Sequence, residues 1–314
     1  MPRHLAVLAV MLMLASLPAA NGAMREEAIK AKSIAGLVSD LKSNDREAAD
    51  LAKNELGRRG KEAVPALAAV VKDMESPSRN LAVISLGIAK DPDTVPLLVQ
   101  CLSDRDWHVR GRAAYSLSQI GGQDAKDAIV GFLKRCLENP ADEVNITKAT
   151  EALSQLPDER ALPLLLTVVN RDDLKRTYAG RYAVIALGRI GDPRASAPIA
   201  RLLNVSASYD ISDDYILLEA IKSTRGKEAV SYLVPYLAAV AKRIEQDPDP
   251  SENEKALMVG AKGRQKAYDT MLFVRANECL VGIAQTKPEG RSVQEIVQFW
   301  KQYLDSQKEA PIQK

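Results

Sequence analysis

Apolar and polar positions alternate along the chain in short stripes at helical spacing. The segment 91–121 shows the pattern clearly, with two apolar stripes on either side of a polar turn. The stripe residues are Val95, Leu98, Val99 and Leu102 in the first, and Val109, Ala113, Leu117 and Ile120 in the second. Asp91-Pro92 favours a helix start, and Gly121-Gly122 favours a helix end. Each helix is too short to be stable alone, so the pair must pack against neighbouring elements.

The second stripe repeats along the chain with a central Leu or Ile. The central side chains stand at positions 56, 86, 117, 153, 187 and 221, with a further copy at 280. Over the first six copies, the period is about 30 to 36 residues, which is typical of arrays of helix pairs. The position after the centre is Gly or Ser in five copies, which favours close approach of a neighbouring helix. The repeat therefore predicts an all-α solenoid, in which each pair packs on the next one.

The repeat predicts about seven helix pairs and one final helix. The predicted pairs are 33–42 with 46–58, 62–73 with 78–89, 92–103 with 106–120, 124–137 with 142–155, 158–170 with 174–190, 193–203 with 211–224, and 227–243 with 267–284. A last helix at 293–304 is predicted to cap the array, because Phe299, Trp300 and Leu304 form an apolar stripe.

Two segments of these pairs, DRDWHVRGRAAYSLSQIG and AVIALGRIGDPRASAPIARLL, resemble HEAT repeats. They are most similar to the HEAT-like subtype of phycobilisome lyases, and the ending resembles that of exported bacterial members. The resemblance covers the chain after Ala23 and implies a right-handed α-solenoid. It also implies that the second helix of each pair lines a concave groove, and that the protein binds other macromolecules.

The segment from Met1 to Ala23 has the features of a secretory signal peptide. Arg3 precedes an apolar run that ends in small residues, and the run is short for a membrane anchor, which is the alternative. The sequence thus predicts export to the periplasm or the cell exterior. The predicted domains are a signal peptide at 1–23, a solenoid at 24–290, and a capping helix with a tail at 291–314. A polar insertion at 246–263 is expected to be either a tolerated loop or a partner-binding loop.

Composition narrows the classes of function. The formal net charge is +2, or +1 without the segment from Met1 to Ala23, which argues against binding to nucleic acid. No later apolar run is long enough to span a membrane. The chain is expected to be a monomer.

Residues that could support chemistry are few. His108 is the only His after Ala23, and no Cys-x-x-Cys spacing occurs, so no metal site is predicted. No cofactor motif or nucleophile with a base is recognisable, and the sequence therefore predicts that the protein is not an enzyme. Cys101, Cys136 and Cys279 are expected to be buried thiols, with a Cys101–Cys136 disulfide as the alternative. Trp107 is expected to cover the turn between two pairs, with a role at a binding interface as the alternative.

The candidate binding residues are positions on the second helices that the core does not use. They combine aromatic, aliphatic and cationic side chains, a mixture favoured at protein interfaces. The predicted set is Ile84, Arg112, Tyr115, Lys148, Tyr182, Ile185 and Arg189. The alternative is that tight curvature of the array buries these positions against each other.

Two hypotheses of function follow from the sequence. The first is an exported, non-enzymatic scaffold or adaptor that binds a protein or peptide in the concave groove. The second is a lyase- or transferase-like HEAT protein that acts on a chromophore or a modified protein.

Overall fold

The computed structural model describes residues 27–139, 142–203, 211–246, 261–290 and 292–309. In these ranges, all regular secondary structure is helical, as the repeat predicted. Contacts divide the chain into two compact units, residues 1–132 and 133–314. The predicted signal peptide at 1–23 and most of the predicted insertion at 246–263 lie outside the described residues.

The N-terminal unit is built from helix pairs in chain order. Its helices are α1 (Ile34–Leu41), α2 (Arg46–Arg58), α3 (Val64–Lys72), α4 (Arg79–Ala89), α5 (Val95–Cys101) and α6 (Trp107–Ile120), and α7 (Gln123–Leu137) contains the boundary between the units. The second helices α2, α4 and α6 pack side by side. The first helices α3 and α5 pack on α4 and α6.

The C-terminal unit repeats this arrangement. Its helices are α8 (Glu143–Gln155), α9 (Leu162–Asn170), α10 (Tyr178–Ile190), α11 (Ser196–Ala200), α12 (Ile211–Thr224), α13 (Val230–Gln246), α14 (Ala261–Ala284) and α15 (Val293–Glu309). The second helices α8, α10, α12 and α14 pack side by side, and α9, α11 and α13 pack on α10, α12 and α14. Both units therefore show stacked helix pairs, which confirms the predicted all-α solenoid.

The central residues of the second helices form the core. Leu117, Leu153 and Leu187 have no exposed surface, which confirms the register taken from the sequence. The small residue that follows permits close packing of neighbouring helices, as expected. A Cβ on Gly87 would lie 2.9 Å from the Cα of Ser116, and one on Gly188 would lie 2.9 Å from the Cα of Ala220.

Several first helices begin later than predicted. The predicted starts at 92 and 193 coincide with short 3₁₀ turns, Pro92–Thr94 and Pro193–Ala195, and the α-helices follow at Val95 and Ser196. In each turn the preceding Asp accepts a hydrogen bond from the backbone N–H of the second residue after it. Such an Asp-Pro start satisfies free amides and sets the backbone angle, but it tightens the first turn.

The second helix predicted from residue 174 begins at Tyr178. Thr177 caps it by accepting a hydrogen bond from the N–H of Ala179 at 3.2 Å. A Cβ on Gly180 would lie 2.5 Å from the carbonyl oxygen of Lys175. Gly180 therefore permits the preceding segment to fold closely over the helix start, where a larger residue would push it away.

The last helix covers the end of the C-terminal unit. Helix α15 packs on α13, and Trp300 is fully buried and donates a hydrogen bond from Nε1 to Oδ1 of Asn277 at 2.7 Å. The predicted capping helix is confirmed, although it extends to Glu309 rather than to 304. Cys101, Cys136 and Cys279 are all buried, as expected, and the alternative of a Cys101–Cys136 disulfide is wrong.

Candidate functional site

Each second helix presents one row of side chains away from the first helices. The row consists of the positions five and two before the central residue and the position two after it. At about 100° per residue, these positions point opposite to the buried central side chain. All seven predicted binding residues belong to such rows, and each of these rows lies within one of the two units.

In the N-terminal unit, the structure brings Ile84, Arg112 and Tyr115 onto neighbouring helices α4 and α6. Ile84 and Tyr115 are partly exposed, and Arg112 is exposed. The described part of the chain offers Arg112 no hydrogen bond or ion pair. These two helices therefore combine apolar surface with a cation that has no partner among the described residues.

In the C-terminal unit, Lys148 lies on α8, and Tyr182, Ile185 and Arg189 lie on α10. Tyr182 and Ile185 are partly exposed, and Arg189 is exposed and donates a hydrogen bond to the backbone carbonyl of Ser154. The charge of Lys148 is balanced, because its Nζ lies 2.7 Å from a carboxylate oxygen of Glu151. The positive edge predicted for this unit is therefore smaller than expected.

Helices α12 and α14 contain a charged network that is absent from the predicted set of binding residues. Glu278 lies 2.9 Å from Nζ of Lys222 and 3.0 Å from Nη1 of Arg275, whose Nε lies 3.5 Å from Glu219. The hydrogen bond from Lys222 lowers the pKa of the Glu278 carboxyl below its ordinary value. Counting from the central residues at 221 and 280 would have found Glu219, Arg275 and Glu278, since they occupy the same rows as the predicted residues.

The residues with potential for chemistry are arranged as structural elements. His108 is exposed and stacks on Trp107, with ring centroids 3.5 Å apart, and Trp107 is itself 44% exposed. Burial raises the pKa of the Cys101 thiol to about 11 and that of Cys279 to about 12, so both are protonated at neutral pH.

Neither a metal cluster nor a membrane span is visible in the described residues. They contain no group of three or more His, Cys, Asp or Glu side chains that could hold a metal ion. No helix within the same ranges is both long and apolar enough to cross a membrane.

Two family models match this chain. Residues 64–144, from α3 to the start of α8, match the model of HEAT repeats. Residues 180–204 match the PBS lyase HEAT-like repeat, and this segment contains Tyr182, Ile185 and Arg189.

Curated relatives and solved structures are similar to this chain at low sequence identity. Protein YibA from two strains of Escherichia coli is 26% identical over 151 residues, which are 48% of this chain and 49% of the relative. The chain thus spans about half the length of the curated relatives it matches. The complex of CpcE and CpcF of phycocyanin lyase from Nostoc is 19% identical, covers 78% of this chain and 95% of its own, and has a TM-score of 0.44. Human deoxyhypusine hydroxylase in complex with glycerol is 16% identical, covers 79% and 88%, and has a TM-score of 0.28.

The family match corrects one prediction. The sequence was expected to encode a protein that is not an enzyme, but the repeat model that fits 180–204 is that of PBS lyases, which points to lyase-type proteins. The prediction failed because it rested on missing local motifs, whereas a solenoid can assemble a site from side chains that are far apart in sequence. The helix pairs and the buried central residues, together with the two family matches, show that the chain contains HEAT-type repeats at residues 64–144 and 180–204.

Proposed function

We propose that the protein binds another protein or a peptide through the exposed rows of its second helices. One observation carries the proposal: Tyr115 and Tyr182 remain partly exposed beside Arg112 and Arg189 on faces where simple solvation would favour small polar residues. Tyr and Arg contribute strongly to protein interfaces, because they offer a large contact area together with hydrogen-bonding groups. The concave groove and the monomeric state remain parts of this proposal.

A capture experiment tests this function. The chain from residue 24 onward is immobilised and exposed to the exported protein fraction of its own cells, in parallel with a Tyr115→Ala/Tyr182→Ala variant. We expect the wild type to retain a defined partner that the double variant loses. A Lys134→Ala variant is the control, because Lys134 is exposed on α7, outside the second helices. Retention of the same proteins by all three forms would contradict the proposal.

The match at 180–204 favours a second candidate function. In this hypothesis, the protein acts as a lyase- or transferase-like enzyme on a chromophore or a modified protein, and α10 contributes to the site. Protein purified from its native cells would then retain a ligand visible by absorption or by mass. Tyr182→Ala should release that ligand while the helical content stays unchanged. A colourless wild type with the mass of the polypeptide alone would contradict this candidate.

We further propose that the protein acts outside the cytoplasm, after removal of the segment from Met1 to Ala23. Arg3, the apolar run and the small residues that follow support this location. Sequencing the N-terminus of the protein from its native cells provides the test. A mature start close to residue 24 is expected, and an intact Met1 in the mature protein would contradict export by cleavage.

A further inference from the structure

In the second helices of the N-terminal unit, the outward positions around each central residue form a face that contains no acidic residue. Since α2, α4 and α6 pack side by side, their outward rows lie next to each other. This N-terminal face consists of positions 51, 54 and 58 on α2, 81, 84 and 88 on α4, and 112, 115 and 119 on α6. It contains four Leu or Ile residues, one Tyr, two Arg and two side-chain amides. Such a composition departs from that of the whole chain, in which 41 acidic residues nearly balance 43 basic ones.

The apolar centre of the N-terminal face is held in place by close helix packing. Ile88 is 39% exposed although it belongs to a helix with a well-packed core. Its Cβ lies 2.5 Å from the place that a Cβ on Gly57 would occupy, so α4 rests directly on α2 at this point. Ile84 and Tyr115 are partly exposed next to it. A preformed apolar surface of this kind can bind a partner without first ordering its own side chains.

Two cations border this centre, Arg112 and Arg58, and only Arg58 lies near a carboxylate, which it shares with another arginine. Arg112 has no hydrogen bond or ion pair with any residue that the structure describes. Arg58 is 66% exposed, and its Nη1 lies 3.9 Å from Glu55. Glu55 is buried, and its other carboxylate oxygen accepts a hydrogen bond from Nε of Arg59 at 2.7 Å. One buried carboxylate therefore faces two arginines, which leaves net positive charge at this border.

The C-terminal unit differs, because its outward rows already contain acidic partners. Lys148 pairs with Glu151 on α8, and Lys222 pairs with Glu278 across α12 and α14. A partner that binds there gains little from its own carboxylates. Arg189 on α10 also keeps its charge, but its guanidinium already donates a hydrogen bond to the backbone carbonyl of Ser154. On the N-terminal face, by contrast, Arg112 has no partner among the described residues and lies beside exposed apolar side chains.

We infer that the N-terminal face binds an acidic amphipathic segment of a partner protein. Apolar side chains of that segment pack on Ile84, Ile88 and Tyr115, and its carboxylates pair with Arg58 and Arg112. This inference rests on the proposed function and adds the chemical class of the partner. Charge complementarity of this kind raises the association rate and selects against basic partners.

Two synthetic peptides test this inference. Both carry the same amphipathic pattern of Leu residues, but one has Glu at every polar position and the other has Lys. Fluorescence anisotropy with the chain from residue 24 onward should show the Glu peptide binding at least about tenfold more tightly than the Lys peptide. The difference should shrink at high salt, because exposed charges are screened.

Matched variants locate the binding. Arg112→Ala and Ile88→Ala should each weaken binding of the Glu peptide several-fold. Lys72→Ala on α3 and Val99→Ala on α5 should leave binding unchanged, since both residues are exposed on first helices. Circular dichroism would verify that each variant keeps its helical content. Equal binding by Arg112→Ala and Lys72→Ala would overturn the assignment to this face.

Other outcomes would also overturn the inference. These are binding of neither peptide, equal binding of both peptides, or binding to phosphatidylglycerol vesicles without binding of the Glu peptide. In these cases, loss of the captured partner in the Tyr115→Ala/Tyr182→Ala variant would still support the proposed function. The two proposals can therefore fail independently.

Discussion

At the scale of single residues, Leu117 tests the register of the repeat. It is the central residue of α6 and has no exposed surface. Leu117→Ala should lower the free energy of unfolding by about 2–5 kcal/mol, because it removes buried methyl groups and leaves a cavity. Urea denaturation measures this change, with Val99→Ala as the control, since Val99 is 37% exposed on α5. A Leu117→Ala variant as stable as the wild type would show that the register is wrong.

Arg79 and Asp104 form a buried ion pair between consecutive helix pairs. The guanidinium of Arg79 donates two hydrogen bonds to the Asp104 carboxylate, at 2.5 and 3.0 Å, and both side chains are nearly buried. Burial favours a higher pKa for Asp104, but the hydrogen bonds from Arg79 and from the N–H of Asp106 outweigh it. The pKa of Asp104 therefore lies below its ordinary value.

The depressed pKa predicts a specific dependence on pH. Asp104 stabilises the fold while it is ionised, above the ordinary carboxyl pKa of about 4, and this contribution is lost as the pH falls through the lower folded value. Asp104→Asn should destabilise the protein at pH 7 by about 3 kcal/mol, because it leaves Arg79 buried without a counter-charge. The difference from wild type, measured by urea denaturation, should shrink below about pH 4. A difference that does not vary with pH would contradict this account.

The hydrogen bonds of this turn join residues that are close in the sequence, whereas the ion pair joins residues that are far apart. Arg110 donates to the carbonyl oxygens of Asp104 and Arg105. Arg79 lies far before Asp104 in the sequence, and their contact depends on how two helix pairs stack. Spacing within one helix could not predict that contact.

At the scale of helices, two glycines make a matched test of close packing. A Cβ on Gly87 would lie 2.5, 2.7 and 2.9 Å from Oγ, Cβ and Cα of Ser116. A Cβ on Gly282 would have no atom of another described element within 4 Å. Gly282→Ala should stabilise α14 by up to about 1 kcal/mol, since Ala is the better helix former. Gly87→Ala should instead destabilise, because α4 and α6 must move apart. Thermal melts of both variants provide the comparison, and equal shifts would contradict the packing argument.

Helix pairs could be predicted from the sequence more reliably than helix starts. The apolar stripes identified α10, but its predicted start at 174 lies before the observed start at Tyr178, because the turn there depends on Gly180 and on the Thr177 cap. Apolar residues have similar spacing in a helix and in the folded turn that precedes and covers it. Their spacing alone therefore does not show where the helix begins. The cap and the close approach determine the actual boundary.

At the scale of the whole molecule, contacts between adjacent helix pairs should govern unfolding. Each helix pair packs mainly on adjacent pairs, so stability is close to a sum of local terms. Calorimetry of the wild type should therefore give a van't Hoff enthalpy below the calorimetric enthalpy. Leu117→Ala should broaden or split the transition further. A single two-state transition for both proteins would contradict this expectation.

The chemical character of the outward rows could be predicted only in part, because it depends on side-chain contacts that the sequence does not show. The sequence identified outward positions such as Ile84, Tyr115 and Tyr182 from helical spacing alone. It did not reveal that Glu151 neutralises Lys148, since this property depends on rotamers. Nor did it reveal that Arg112 finds no partner among the residues that the structure describes, which depends on contacts between helices. The chemical character of each face therefore required the structure.

Partner affinity is the most direct measurement of the central claim, that the second helices bind a protein. Isothermal titration calorimetry with one identified partner would compare Tyr115→Ala, Tyr182→Ala and the control Lys134→Ala. At least one Tyr variant should lose about 1 kcal/mol or more of binding free energy with its fold intact, while the control binds like the wild type. Equal affinity for all three variants and the wild type would contradict the claim.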